Sequence, residues 1–447
     1  MLSTRPKTDS ESKTRRWRIP PPLLQSGEGP GPEGLSILEE FRNELGMVLW
    51  KSLRSVLLWT ESDPNARRSL YDEGAEERRQ VEILSAVPGD EVNLRQALED
   101  LLAVLARPSR VDPEFVGVAC NRVAAWAEKK QAPRTSLEFL QAAALACPAD
   151  PTFAVAVGRA TRDLAEYGRA EAWYYRGIGL ARQAGNWEPY VRAYLSHGIM
   201  MLRRGALPAA RRSFLKALRR ARRQSLREGE ALALHDLFAL EGRSGDREGA
   251  LAYAREAVQS YGPDHASFPR LAHDIAYFWL EQGDHEHALP VFMATFSRVT
   301  RGDRPFVLGS LSRAAAGMGD VGAYEWSRRE LEEYSPAPGV AEAWVDTARA
   351  ALALDRLDEA TEAANLAESV ARARREGQMR FLAESVLKEI HEERLRTRQV
   401  ETERVEEVST ISDQLARELL RSLQLSPSST SEVSELFSTR DLTTAGV

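Results

Sequence analysis

Apolar residues recur at three- and four-residue spacing along most of the chain, and almost no segment alternates as a strand would. Leu38, Phe41, Leu45, Val48, Leu49, Leu53, Val56 and Leu57 predict a helix over 37–61. Ser36 is placed to be its N-cap, Glu39 completes a capping box, and Ser62-Asp63-Pro64 stops it. A second helix is expected over 92–105, ending before Pro108. After Pro113, helices of roughly 13 to 18 residues alternate with short turns. The turns carry Gly or Asp at Tyr167-Gly168, Arg204-Gly205, Ser244-Gly245-Asp246, Gln282-Gly283-Asp284, Met318-Gly319-Asp320 and Leu354-Asp355. Gly ends one helix in a left-handed cap and Asp starts the next, so the pattern predicts helix hairpins.

The hairpins repeat. Ser136, Ala170, Ala210, Ala250, Ala288, Tyr324 and Ala360 each stand near the start of a second helix, at intervals of 34, 40, 40, 38, 36 and 36 residues. Evenly spaced helix pairs make a solenoid, in which each unit packs only on its neighbours.

Around those positions lie Ala154, Val157-Gly158, Tyr167, Ala170, Tyr174 and Gly177 in one hairpin. The next has Tyr194, His197-Gly198, Leu207, Ala210, Phe214 and Ala217. Ile275-Ala276, Trp279, Gly283, Ala288 and Phe292 mark a later one, and Trp344, Ala348, Leu357, Ala360 and Ala367 the last. This order of large, small and aromatic residues resembles the tetratricopeptide family, over about residues 114–375. Phe238 and Tyr324 depart from it, standing where a small residue is wanted. The resemblance implies an all-α fold: an α-solenoid, wound as a right-handed superhelix, of about seven tetratricopeptide-like helix hairpins. It also implies a non-catalytic protein- or peptide-binding scaffold or adaptor.

The expected organisation is a disordered basic tail over 1–35, a helical N-terminal segment over 36–112, the solenoid over 113–376, capping and amphipathic C-terminal helices over 377–424, and a disordered tail over 425–447. Phe381, Leu382, Val386, Leu387 and Ile390 form the stripe of the capping helix. Val405, Val408, Ile411, Leu415 and Leu419 form a second amphipathic stretch, suited to a partner or to oligomerisation.

Composition adds little beyond a setting. With 447 residues, 43% of them hydrophobic, and a formal charge of −6, the chain has no global field for nucleic acid or anionic lipid. Arg makes up 53 of its 60 basic residues, as in chains from high-GC bacterial genomes, so a bacterial type is expected. Cys120 and Cys147 sit in apolar helical segments without a CxxC, which predicts free thiols in a reducing cytoplasm. No signal-like apolar stretch follows Arg15, Arg16 and Arg18, and the most apolar run, Leu45 to Trp59, is interrupted by Lys51 and Arg54. A cytoplasmic protein with no membrane contact is expected.

Candidate chemistry is sparse. No phosphate-binding glycine loop, dinucleotide fingerprint, nucleophile elbow or HExxH motif occurs, so no enzyme activity, cofactor or metal is expected. His235-Asp236 and His273-Asp274 resemble a metal-binding His-Asp pair, but their 38-residue separation is the repeat period and does not predict convergence. His285 and His287 fall in a turn and are expected to face solvent. The tetratricopeptide resemblance places the partner-binding groove on the first helices. There it implies Asn121, Arg159, Arg162, Arg192, Arg203, His235, Arg270, His273, Tyr277, Arg313 and Arg349, with Glu128, Asp163, Glu281 and Glu342 nearby. That net basic surface suits an acidic peptide or a terminal carboxylate, since Arg binds carboxylates through two parallel bonds. Arg212, Lys216, Arg219, Arg223 and Arg227 form a basic stripe on the helix expected over 208–227, a candidate for nucleic acid. Nucleic acid ranks below protein, because no aromatic residues interleave that stripe. A signal-responsive, peptide-sensing regulator is the other alternative, with residues 36–107 as its sole candidate effector segment.

Overall fold

Helix starts follow from proline and aspartate. Pro113, Pro133, Pro151, Pro269 and Pro305 lie in the first turn of their helices, where a missing N–H costs nothing. Asp112, Asp150, Asp246 and Asp320 accept backbone N–H bonds from Glu114, Thr152, Gly249 and Ala323 at 2.7–3.0 Å, capping the Pro113 and Pro151 helices and two more starts. Most of the hairpin turns need one left-handed residue. Gly205, Gly245, Gly283 and Gly319 supply it at φ between 69° and 85°, and Gln131, Ala165 and Asp355 adopt φ near 60° at matching places. In this computed structural model residues 19–24, 34–394 and 409–424 are described. The tails expected to be disordered, 1–35 and 425–447, fall outside these residues apart from 19–24, 34 and 35. Val405 and Val408 of the second amphipathic stretch also fall outside them.

The chain divides into two units, residues 1–229 and 230–447. Among the described residues of the first, α1 (Leu35–Glu40), α2 (Glu44–Glu61), α3 (Ala75–Ala86), α4 (Val92–Leu101) and α5 (Ala103–Ala106) precede three hairpins. These are α6 (Pro113–Lys129) with α7 (Pro133–Ala146), α8 (Pro151–Asp163) with α9 (Tyr167–Ala184), and α10 (Trp187–Arg203) with α11 (Leu207–Arg223). The helix α12 (Arg227–Ser244) starts in the last residues of this unit and continues in the next. The second unit continues with α13 (Arg247–Tyr261), then α14 (Phe268–Glu281) with α15 (His285–Phe296), α16 (Arg304–Met318) with α17 (Val321–Glu332), and α18 (Val340–Ala353) with α19 (Leu357–Arg374). Helices α20 (Gly377–Arg394) and α21 (Ser409–Gln424) complete it.

The fold of the described residues is all-helical, and within each unit the helices from α6 to α11 and from α13 to α20 pack on their neighbours in sequence as a solenoid requires. The repeat anchors sit where they must. Ala170, Ala210, Ala250, Ala288, Tyr324 and Ala360 are all 0% exposed, and Ser136 is 1% exposed. Small residues let the paired helices approach closely. A Cβ on Gly158 of α8 would lie 2.7 Å from two ring carbons of Tyr174 on α9. Between adjacent first helices, a Cβ on Gly309 of α16 would lie 2.7 Å from Cα of Ala343 on α18. The two departures are accommodated: Tyr324 is buried and donates to Glu359 Oε2 at 3.0 Å, while Phe238 packs edge-on against Phe278.

Four expectations need correction. The single helix over 37–61 is two, broken at Phe41–Asn43. Phe41 leaves helical geometry and stacks on Trp126 at 5.3 Å, and Asn43 rather than Ser36 provides the side-chain cap, accepting from Gly46 N–H. Ser36 donates instead to Glu138. The helix over 92–105 is interrupted at Leu102. Buried side chains within residues 36–107 join one core with those of α6 to α9. In α20, Ala383, Val386 and Ile390 are buried, but Phe381 of the expected stripe is 69% exposed.

Candidate functional site: the first-helix face

The first helices carry the residues expected to bind a partner, and their neighbours decide what those residues can do. In the first unit, Asn121 of α6 and Arg159 of α8 are exposed. Arg162, next to Arg159's turn of α8, is buried and bonds Asp163 through two nitrogens at 3.0 and 3.1 Å. The same Asp163 accepts from Arg203 of α10 at 2.7 Å. Arg192 of α10 pairs with Glu188 and Glu228, each at 3.2 Å. Adjacent repeats are therefore linked by ion pairs along this face.

In the second unit the links become a polar network. His235 Nε2 of α12 lies 2.8 Å from Asp274 Oδ2, and His273 Nδ1 lies 3.3 Å from Asp274 Oδ1. The period echo of the two His-Asp pairs thus acquires a meaning: the His of one repeat meets the Asp of the next. Burial would raise the Asp274 pKa, but the hydrogen bonds from His235 and His273 outweigh it and hold the carboxyl well below its usual range. His273 stacks on Tyr277 at 6.2 Å, and Ser310 Oγ of α16 is 3.4 Å from His273 Nε2. Ser310, His273 and Asp274 stand in the order of a hydrolytic triad, yet Ser310 is 2% exposed, which bars a substrate carbonyl from its hydroxyl. Arg313 donates to Glu281 at 2.7 Å and to Asp346 at 3.5 Å, and Arg349 pairs with Asp346 at 3.6 Å. Burial raises the Asp346 pKa against the pull of Arg313 and Arg349; burial and the Asp346 charge raise that of Glu342.

This geometry revises the charge expected of the face. Arg162, Arg192, Arg203, Arg313 and Arg349 are all engaged by carboxylates. Among the described residues, Arg159 and Arg270 have no acidic partner, and both are exposed. Sequence reasoning placed Glu281 and Glu342 nearby but missed Asp346 and Ser310. The signal for Asp274 was present in the 38-residue echo. On α14, Arg270, His273, Tyr277 and Glu281 follow one another at helical spacing, so they share a face, with Tyr277 37% exposed.

Other expected residues are placed as follows. Arg212, Lys216, Arg219 and Arg223 are exposed on α11, and Arg227 opens α12. Aromatic residues do lie beside this stripe, supplied by α10: Arg220 covers Trp187 at 4.0 Å and Tyr190 at 5.4 Å, and Lys216 lies 5.2 Å from Tyr194. His285 and His287 do not face solvent. His285 is half-buried, and His287 lies between Asp284, at 2.6 Å, and Asp413 of α21. Leu415 and Leu419 are buried as α21 packs on α13 and α15, so this stretch is occupied within the chain. Cys120 is buried, and Cys147, partly exposed, donates to the Pro113 carbonyl at 3.0 Å. Among the described residues no cluster of His, Cys, Asp and Glu has the geometry to hold a metal ion, and no helix is long and apolar enough to cross a membrane.

No family model matches the chain, and no curated protein matches it. Solved structures do. The chain is similar to yeast Tom70 (14% identity, TM-score 0.49, covering 84% of this chain and 68% of that one). It is also similar to a Rap protein complexed with competence and sporulation factor (10% identity, TM-score 0.40, 78% of this chain and 98% of that one). A third is the Rap conjugation gene regulator of plasmid pLS20 in complex with the Phr* peptide (14% identity, TM-score 0.40, 78% and 96%). All three score below 0.5, and the fold stands on the helix packing described above.

Proposed function

We propose that the protein is a non-catalytic scaffold that holds a peptide or a partner segment on the first-helix face of its hairpins. The observation that carries this reading is the α14 stripe, where an exposed Arg270, with no acidic partner among the described residues, shares a face with His273 and a partly exposed Tyr277. A carboxylate on the ligand fits Arg270 best, because a free guanidinium fork binds it through two bonds. Arg313 and Arg349 serve the scaffold, fixing Tyr277 and the neighbouring repeats. Location in a reducing cytoplasm, with free thiols, belongs to the same reading.

The test is selection of displayed random peptides on the full chain, followed by binding to Arg270→Glu and Tyr277→Ala variants. Enrichment of Asp- or Glu-bearing peptides, at least tenfold weaker on Arg270→Glu, supports the scaffold reading. Failure to enrich, or peptides indifferent to both substitutions, overturns it.

A second reading has its own observation. Arg212, Lys216, Arg219 and Arg223 are exposed and have no acidic partner among the described residues. If they contact a single-stranded nucleic acid, the logarithm of affinity should fall with that of salt at a slope of about −3, from about 0.7 per phosphate contact. An oligouridine anisotropy titration showing no binding at low salt removes this reading. The peptide-sensing regulator, by contrast, wants a separable effector segment, and residues 36–107 share their core with the first hairpins.

A further inference from the structure

Residues 19–24 read Ile-Pro-Pro-Pro-Leu-Leu and lie along α9. Ile19, Pro20 and Pro21 each precede a proline, which drives them into extended backbone. Three prolines also remove three N–H donors, so the segment cannot satisfy its carbonyls by pairing with itself. Helix α9 supplies donors to three of them instead. Arg169 Nη2 donates to Leu24 O at 2.8 Å, Trp173 Nε1 to Leu23 O at 3.0 Å, and Arg176 Nη1 to Pro20 O at 2.9 Å.

The register is that of two rods laid antiparallel. Donors at 169, 173 and 176 form one stripe of the helix, followed by Gly179, where an added Cβ would come 3.2 Å from Ile19 Cγ1. From 169 to 179 a helix rises about 15 Å at 1.5 Å per residue. From Leu24 back to Ile19 a polyproline strand covers about 15 Å at 3.1 Å per residue. The two lengths therefore agree end to end.

Two of the donors have partners besides the segment. Arg169 is ion-paired to Glu166, and Arg176 is braced on the Pro148 carbonyl at 2.7 Å. Ile19 and Leu24 pack on the core, while Leu23 is 43% exposed. The cradle therefore reads three backbone carbonyls and two apolar anchors, and needs the residues between to hold the backbone extended, as proline does.

We infer that the outer stripe of α9 is a recognition site for an extended, proline-rich peptide flanked by apolar residues, and that residues 19–24 are its resident ligand in cis. A proline-rich segment of a partner competes with them for Arg169, Trp173 and Arg176. The site is separate from the first-helix face, whose occupant is recognised through side-chain charge.

The test uses the full chain with a protease recognition sequence inserted between Leu24 and Gly34. The probe is a fluorescein-labelled peptide of residues 18–25, followed by anisotropy before and after cleavage. A tethered segment competes at an effective concentration near millimolar, so the uncut chain should bind the probe weakly. Cleavage and prolonged exchange should tighten binding at least tenfold. Cut Arg176→Ala protein should bind tenfold or more weakly than cut wild type. A probe with Pro20–Pro22 replaced by Ala, which needs no protein variant, should lose a similar factor. The inference is overturned if the cut wild-type protein ignores the probe, if the Ala probe binds equally, or if release of the segment unfolds α9 as followed by circular dichroism.

Discussion

Replacing Gly158 by Ala isolates the close contact between the two helices of one hairpin, α8 and α9. The new methyl would lie 2.7 Å from Cδ1 and Cε1 of Tyr174, whereas ordinary contact begins at 3.4 Å, so the ring must withdraw by about 0.7 Å. Tyr174 is 0% exposed, so its ring cannot withdraw into solvent without opening the hairpin. Overpacking of this kind costs about 1–3 kcal/mol. Against it stands a gain of up to about 1 kcal/mol for removing a glycine from a helix interior. The overlap involves two atoms of a fixed ring, which favours the upper part of the cost range. The expected net loss is therefore about 1–2 kcal/mol, a factor of roughly 5–30 in local opening. A chain of this length does not unfold in one step, so hydrogen exchange of α8 and α9, read peptide by peptide, is the assay. Gly168→Ala is the control: a Cβ there meets nothing within 4 Å, and exchange should be unchanged or slower. In a Tyr174→Leu background the Gly158→Ala penalty should fall by more than half, because the neighbours are coupled. If Gly158→Ala protects these helices as well as the control does, glycine against aromatic ring is not what sets the hairpin spacing.

Three further outcomes follow from the second unit and the cysteines. Burial alone would lower the His287 pKa, but Asp284 and Asp413 raise it above its ordinary value. Its contribution to the docking of α21 is thus complete below about pH 6.5 and is lost as pH rises through the raised folded value. Exchange of α21, corrected for intrinsic rates, should show more protection at pH 6 than at pH 8.5; a flat profile, or one unchanged in His287→Ala, refutes it. Arg313→Met leaves Asp346, 7% exposed, with Arg349 alone, and should cost about 1–3 kcal/mol, less than the loss of a fully buried pair. Asp346→Asn in the same chain should recover most of the lost hydrogen-exchange protection of α16 and α18, and failure to do so would deny the pairing. Iodoacetamide should label Cys147 slowly in the native protein, since burial pushes its pKa to about 11, and Cys120 only after unfolding, read by mass spectrometry.

The repeat was legible because one face of each second helix must be small, and that constraint recurs at Ala170, Ala210, Ala250, Ala288 and Ala360 regardless of what the outer face carries. The helix break at Phe41 was not legible. Its cause is a ring contact with Trp126, 85 residues away, where a partly buried Phe41 stacks on a buried indole, and local propensity carries no sign of that partner. The groove residues were found by face but misjudged in charge. Arg313 meets acids on both neighbouring repeats, and choosing them needs the stagger between first helices, which periodicity does not contain. Ile19–Leu24 sits in a basic, Pro-rich context that composition assigns to disorder. What orders it is the donor stripe on α9, a property of another part of the chain.

Side-chain links along the first-helix faces join residues one repeat apart: His235 with Asp274 at 39 positions, Arg203 with Asp163 at 40, Arg313 with Asp346 at 33. A solenoid held only by such links is stable as a sum of nearest-neighbour terms, and its helices open locally. The docked segments escape that rule. Residues 23 and 24 reach α9 across about 150 positions, and α21 reaches α14 and α15 through Trp279 with Ser412 and His287 with Asp413, across 133 and 126. Helix α14 thus carries the stripe of Arg270, His273 and Tyr277 on one side, and on another the indole that holds α21. A ligand that stiffens α14 lowers the ordering cost of docking α21, and α21 favours the ligand by the same factor, because linkage between two sites is reciprocal. Loss of α21 protection on Arg270-dependent ligand binding would run against this coupling, and gain of protection would measure it.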